Sequence, residues 1–115
     1  MIDFLNGEGD DILESNGGFT NNKTTAKTEG IITGLSDEHF ARMQFELIFD
    51  KESAREEFNI KEVQFVNIVE LQLSQMTEYQ LNNDETFLNE LQEQMNLMLE
   101  EGEITDIKIL VKVIE

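Results

Sequence analysis

The last third of the chain, residues 83–115, contains the clearest helical pattern in the sequence. Large apolar side chains recur there at the spacing of one helical face: Phe87, Leu88, Leu91, Met95, Met98 and Leu99. Asn83 or Asp84 is suited to cap the start of this helix, and Gly102 is suited to end it. An apolar stripe of this width must be covered, so the pattern predicts a helix packed on a sheet.

One strand for that sheet follows the glycine directly. Residues 104–114 alternate in polarity, which predicts a single apolar side of a strand: Ile107, Ile109, Val111 and Val113. Residues 40–49 alternate in the same way and predict a second, half-buried strand.

The segment between these strands is expected to hold a short helix and another strand. Ser53 and Glu56 fit a capping box, which predicts a short helix through Phe58. A long strand is predicted over residues 63–73, with an apolar face formed by Val63, Phe65, Val69, Leu71 and Leu73. The sequence therefore predicts an α+β fold, in which one long helix packs across one face of a small antiparallel or mixed sheet. The predicted order is arm, β, short α, β, α, β.

Residues 1–34 differ in composition from the rest of the chain. They hold six of the seven glycines, and the run 20–28 consists of Asn, Lys and Thr with one Ala. Such a run buries too little apolar surface to offset its ordering entropy. We therefore expect a partly flexible N-terminal arm over residues 1–34 and a single α+β domain over residues 35–115.

The chain is strongly acidic, with a formal net charge of -17 from 25 acidic and 8 basic residues. Such a surface is repelled by nucleic acids and anionic membranes and favours basic proteins as partners. The sequence has no cysteine, which excludes disulfides and thiolate chemistry. It shows neither a signal-peptide pattern nor an apolar run of membrane length. We expect a cytoplasmic protein.

Catalytic and cofactor motifs are weak. The only histidine, His39, follows Ser36, Asp37 and Glu38, but neighbours in sequence do not form a triad, so a surface histidine beside a helix cap is expected. Residues 6–13 fit a calcium-binding nonapeptide, without the adjacent repeats that such a site requires. No phosphate-binding loop occurs. We expect no enzyme activity, no cofactor and no metal site.

The outer side of the predicted C-terminal helix carries carboxylates without basic neighbours. No Lys or Arg occurs between Asp84 and Glu103. The residues on this side are Glu90, Glu93, Leu97, Glu100 and Glu101. Either these carboxylates are simply solvated, or they form a docking face for a basic partner, with Leu97 as its apolar contact.

The side of the sheet opposite the helix is expected to show six apolar residues: Phe40, Ile48, Val66, Ile68, Leu110 and Ile114. That is too many for a solvated face, so either the arm or a second copy covers them, and we expect a homodimer. Four basic residues are candidate contacts for a small anionic ligand, such as a nucleotide at a subunit interface: Arg42, Arg55, Lys108 and Lys112.

The C-terminal helix and strand also form a recognisable string of residues. Residues 87–99 read Phe-Leu-Asn-Glu-Leu-Gln-Glu-Gln-Met-Asn-Leu-Met-Leu, and Ile-Thr-Asp-Ile-Lys follows at 104–108. This string resembles the small sporulation and prophage proteins of the Cse-sixty type, with residues 69–75 in the place of that family's first strand. Ile109 and Leu110 depart from the family's pattern. The resemblance implies a β-α-β core and a bacterial or phage origin, and it implies no activity.

Three functions fit these features. The first is an acidic protein of phage or prophage type that inhibits or regulates a basic, nucleic-acid-binding host protein by mimicking nucleic acid, as counter-defence proteins do. The second is a self-assembling structural module, and the third is a sequestering protein for a small anionic ligand. The 19 acidic against 6 basic residues of the segment 35–115 favour the first.

Overall fold

The computed structural model describes residues 22–115, so the calcium-repeat match at residues 6–13 lies outside the described residues. The elements are a 3-10 turn (Asn22–Thr24), β1 (Thr25–Lys27), β2 (Ile31–Gly34), β3 (Phe40–Phe49), α1 (Glu52–Ser74), α2 (Glu78–Asn83), α3 (Phe87–Asn96) and β4 (Ile104–Ile114). The four strands form one antiparallel sheet, and the long helix α1 packs across one of its faces. This confirms the predicted α+β class. We call the face covered by helices the inner face and the opposite one the outer face.

The central strand of the sheet is β3. β4 pairs along one of its edges, and β1 and β2 pair one after the other along the second edge. The register shifts by one residue between them, because Lys27 lies opposite Glu46 whereas Ile31 lies opposite Met43. β1 and β2 therefore act as a single edge strand with a bulge.

The sheet begins earlier in the chain than the sequence suggested. Both β1 and β2 lie within residues that were assigned to the arm, and β1 lies inside the polar run 20–28. Composition is a poor guide here, because an edge strand gains order from its backbone hydrogen bonds to β3 as well as from the few side chains that it buries, such as Ile31.

The longest helix, α1, occupies the segment where a short helix and a strand were predicted. The strand over residues 63–73 is wrong, and so is the first strand that the family resemblance implies over residues 69–75. The side chains that α1 buries have helical spacing: Ala54, Phe58, Phe65, Val69 and Leu73. Ser53 does not cap this helix, since its hydroxyl donates to the carbonyl of Glu101. Neither proline nor glycine interrupts the run, so the helix continues to Ser74.

The last strand, β4, is irregular. Its register against β3 shifts at Thr105 and at Leu110. Beyond the second shift the two sides of the strand exchange, so Ile109 lies on the inner face and Val111 on the outer face. The prediction that Ile107, Ile109, Val111 and Val113 share one side of the strand is therefore wrong.

Helix α3 has different ends from those predicted. Its N-cap residue is Thr86, and Asp84 instead accepts hydrogen bonds from the backbone N–H and the hydroxyl of Thr86, at 2.8 and 2.6 Å. The helix ends at Asn96, whose amide side chain holds the start of β4. Its Oδ1 accepts from the N–H of Ile104 at 2.7 Å, and its Nδ2 donates to the Ile104 carbonyl at 3.1 Å.

Gly102 lies in the turn after α3 rather than at the end of the helix. A Cβ at this position would lie 2.5 Å from Oδ1 of Asp50 and 2.9 Å from Cβ of Ala54. Only glycine fits such a close approach, so Gly102 lets the turn pass against the start of α1.

The core lies between the inner face and the helices. Phe45 of β3 meets Phe65 of α1 edge-on with ring centroids 5.8 Å apart, and Phe49 meets Phe58 at 5.4 Å. These contacts join the central strand to the long helix and fix the two layers relative to each other.

Candidate functional site

Charge is distributed unequally between the two layers of the molecule. Residues 50–103, which include all three helices and which we call the acidic layer, carry 14 Asp and Glu residues against 3 Lys and Arg. The four strands carry 4 Lys and Arg residues against 2 Asp and Glu. The helical side of the described chain is therefore strongly negative and the sheet weakly positive.

The basic residues of the acidic layer are close to its beginning, and two of them have acidic partners there. Nζ of Lys61 lies 2.7 Å from Oε2 of Glu57, and Nη2 of Arg55 lies 3.8 Å from Oε2 of Glu52. No Lys or Arg occurs in residues 62–107. Helices α2 and α3 thus have no basic residue of their own to balance their carboxylates.

Glu57 anchors the turn that follows α3. Its carboxylate accepts hydrogen bonds from the backbone N–H groups of Glu100 and Glu101, each at 2.8 Å. Lys61, which lies at a kink in α1, also donates to the carbonyl of Met98 at 2.6 Å. The hydrogen bond from Lys61, followed by those from the two N–H groups, holds the pKa of Glu57 below its ordinary value despite partial burial. The position of the turn is therefore set by α1.

The five predicted docking residues lie on two elements rather than on one helical face, because α3 ends at Asn96. Glu90 and Glu93 are exposed on α3, and Leu97, just beyond its end, is 81% exposed. Glu100 and Glu101 follow in the anchored turn.

These carboxylates differ in how far they are compensated. No ion pair among the residues that the structure describes involves Glu90, Glu93 or Glu101. The pKa of Lys61 is raised by its hydrogen bond to Glu57 and, less strongly, by the charge of Glu100. Glu100 is therefore the most compensated member of the predicted docking set.

A polar groove of about 310 Å³ lies between the end of α1, α2 and the start of α3. It is lined by Gln72, Gln75, Met76, Gln80, Asp84 and Glu90. Hydrogen bonds from the hydroxyl and then from the N–H of Thr86 hold the pKa of Asp84 below its ordinary value. With two carboxylates, three amides and no basic group in its lining, the groove is suited to a Lys or Arg side chain. Sequence reasoning missed it, because these residues converge only in the folded chain.

The predicted self-association residues do not share one face. Phe40 and Ile48 lie on the outer face, where Phe40 is 59% exposed, and Leu110 is 42% exposed at the β4 bulge. Val66 and Ile68 belong to α1 and pack against the core, and Ile114 packs there from the inner face. The prediction of a common face is wrong for these last three residues.

The four candidate anion contacts lie apart. Arg42 and Lys108 are on the outer face, whereas the bulge in β4 puts Lys112 on the inner side opposite Met43. Arg55 lies on α1, where its Nε donates to the carbonyl of Lys23 at 3.1 Å. The structure therefore brings together at most two of the four, and Lys108 and Lys112 lie on opposite sides of the sheet.

His39 lies in the loop between β2 and β3, between two carboxylates. Its Nδ1 is 3.1 Å from Oδ1 of Asp37, and its Nε2 is 3.3 Å from Oε1 of Glu78. The N–H of Glu78, more than His39, holds the pKa of Asp37 below its ordinary value. The cluster ties the hairpin loop to the start of α2. The helix cap expected near Ser36 is wrong, because this segment is a hairpin loop.

Comparison with known proteins adds no assignment: no family model matches the chain, and no curated protein matches it. Among residues 22–115, no three His, Asp or Glu side chains converge closely enough to hold a metal ion. No helix in the same range has the length and apolar composition that crossing a bilayer requires.

Proposed function

We propose that this protein is a non-catalytic binding protein whose acidic layer occupies the nucleic-acid-binding surface of a basic host protein and thereby inhibits or regulates it. The observation that carries this proposal is the separation of charge. Residues 78–103, from the start of α2 to the turn after α3, carry eight Asp and Glu residues, and residues 62–107 contain no Lys or Arg. Uncompensated charge of this density steers a basic partner and repels nucleic acid itself.

Two local features give the acidic layer the means to dock. Leu97 is 81% exposed beside Glu93 and supplies an apolar contact. The polar groove, whose lining includes Glu90, offers carboxylate and amide groups to an inserted Lys or Arg side chain. Docking on this layer combines long-range attraction with a short-range, shape-dependent contact.

The setting of this activity follows from sequence features. The resemblance of the C-terminal third to prophage and sporulation proteins supports a phage or prophage origin in bacteria. A chain without cysteine suits the reducing cytoplasm, where host nucleic-acid-binding proteins act.

The experiment compares two variants of equal charge. The first carries Glu90→Gln, Glu93→Gln and Glu101→Gln in the acidic layer. The matched control carries Glu29→Gln, Glu38→Gln and Glu115→Gln, three exposed residues outside that layer. Wild type and both variants are immobilised and exposed to a bacterial lysate at low salt, and duplex DNA is then used to elute what they retain.

We expect the wild type and the control to retain the same nucleic-acid-binding proteins and to release them to duplex DNA. The acidic-layer variant should retain much less of them, since neutral side chains no longer compete for a phosphate-binding surface. Retention that is equal for both variants, or that duplex DNA does not reverse, would contradict the proposal.

A further inference from the structure

The outer face of the sheet has a pattern that is symmetric along its central strand. Alternation in β3 puts five side chains in a row on this face: Phe40, Arg42, Gln44, Glu46 and Ile48. Gln44 is at the centre of the row, with the positive Arg42 on one side of it and the negative Glu46 on the other. The apolar residues Phe40 and Ile48 are at the two ends of the row. A row with this arrangement is complementary to its own reverse.

We propose that two copies of the chain form a dimer by packing outer face to outer face. The two-fold axis lies in the gap between the sheets, perpendicular to β3, and passes between the Gln44 residues of the two copies. β3 of the second copy then runs in the opposite direction. Arg42 of each copy lies over Glu46 of the other, and Phe40 lies over Ile48. Packed sheets are about 10 Å apart, a gap that an extended Arg and an extended Glu span together.

The twist of the sheets is compatible with this pairing. Aligned sheets cross at about 30°. Arg42 and Glu46 lie two residues from Gln44, about 7 Å from the axis. The rotation therefore displaces each of them sideways by about 3.5 Å, which a flexible Arg side chain follows, and displaces Phe40 and Ile48 by about twice as much.

The neighbouring strands support the same axis. Ile32 and Val113 flank Arg42 on its two sides, and both are exposed, Ile32 at 64%. Val111 lies beside Gln44 and comes to face Val111 of the second copy. Ile32 and Val113 exclude water from the Arg42 end of each charged pair, whereas Glu46 is flanked on the same face by Lys27 and Lys108.

Charge favours a second copy as the occupant of this face. Two copies of a chain with a net charge of -17 repel each other least where basic residues outnumber acidic ones, and the strands are that place. Both acidic layers then point outward. The dimer therefore neither depends on the proposed function nor blocks it.

Sedimentation of the full chain over a wide concentration range tests the dimer. Arg42→Glu and Glu46→Arg each place like charges opposite one another at both symmetric pairs. We expect either variant alone to raise the dimer dissociation constant by about tenfold or more. Lys112→Glu, which makes the same charge change as Arg42→Glu but on the inner side, should dimerise like the wild type.

An equimolar mixture of the two single variants is the decisive sample. The two acidic side chains of one variant face the two basic side chains of the other, so we expect the mixture to recover dimers. Circular dichroism verifies that each variant is folded. A wild type that is monomeric at every concentration overturns the proposal. So does a dimer that survives both single variants, or a mixture of folded variants that stays monomeric.

Discussion

The chain is very acidic, and most of its carboxylates are on the surface. The carboxylate of Glu57 instead acts inside the fold. Its side chain is 11% exposed, and it joins Lys61 on α1 to the backbone of the turn at Glu100 and Glu101. Hydrogen bonds to an ionised acceptor are stronger than neutral ones, more so when they are partly removed from water. This one side chain therefore positions two of the carboxylates that the proposed docking surface uses.

Replacing Glu57 by Gln is expected to lower the free energy of unfolding by about 1–3 kcal/mol, because Lys61 and two N–H groups lose their charged acceptor. Urea denaturation measures the change. Glu56→Gln, at the exposed neighbouring position, is the control and should stay within about 0.5 kcal/mol of the wild type. Equal losses in the two variants would show that the turn does not depend on the Glu57 carboxylate.

The stability difference between the wild type and Glu57→Gln has a defined pH dependence. The pKa of Glu57 is lower in the folded chain, so its ionised form stabilises the fold above the ordinary glutamate pKa of about 4.3. This contribution is lost as the pH falls through the lower, folded value. The stability difference between wild type and Glu57→Gln should thus be largest near neutral pH and should shrink in acid. A difference that is unchanged in acid would contradict the assignment.

Single residues of the site were partly predictable. The exposure of Glu90, Glu93 and Leu97 follows from the helical pattern of α3, and the spacing of Glu57 and Lys61 is typical of an ion pair within a helix. The attachment of Glu57 to residues 100 and 101 was not predictable, because it joins positions that are distant in sequence.

The elements of this fold differ in how clearly the sequence specifies them. β3 has an apolar and a polar side, so its period is unambiguous. α1 is apolar on nearly every side, with Ile60 and Val63 exposed although Phe65 is buried, so alternation and helical spacing fit equally well. The bulge at Leu110 was not predictable either, since it arises from pairing with β3 rather than from β4 itself.

Thr28 lies between β1 and β2. Substitutions at this position test how the bulged edge strand is held to β3. It is 2% exposed, its hydroxyl accepts from the N–H of Phe45 at 3.1 Å, and its own N–H donates to the Phe45 carbonyl. Thr28→Val keeps the shape but leaves a buried N–H without a partner, which we expect to cost about 1–3 kcal/mol.

Thr28→Ser is the matched variant, because it keeps the hydroxyl and loses only a methyl group. Amide hydrogen exchange at Phe45 should accelerate in Thr28→Val and remain close to the wild-type rate in Thr28→Ser. The account of the bulge is wrong if Thr28→Val leaves this exchange rate unchanged.

At the scale of the whole molecule, the described chain is a two-layer body with opposite electrostatic character on its two sides. Composition gives the net charge, and the absence of Lys and Arg from residues 62–107 is visible in the sequence. That these residues form one side, and that the sheet carries the basic ones, depends on α1 being a helix and was not predictable. The polar groove likewise exists only where three helices meet.

The central claim is that the position of the carboxylates, more than their number, determines what the protein binds. It is tested most directly by the salt dependence of the dissociation constant for a purified captured partner. The wild type is compared with the acidic-layer variant (Glu90→Gln, Glu93→Gln, Glu101→Gln) and with the equally charged control (Glu29→Gln, Glu38→Gln, Glu115→Gln). We predict that the acidic-layer variant binds about tenfold or more weakly and with a shallower salt dependence, whereas the control matches the wild type. Identical affinities and salt dependences for the two variants would contradict the claim.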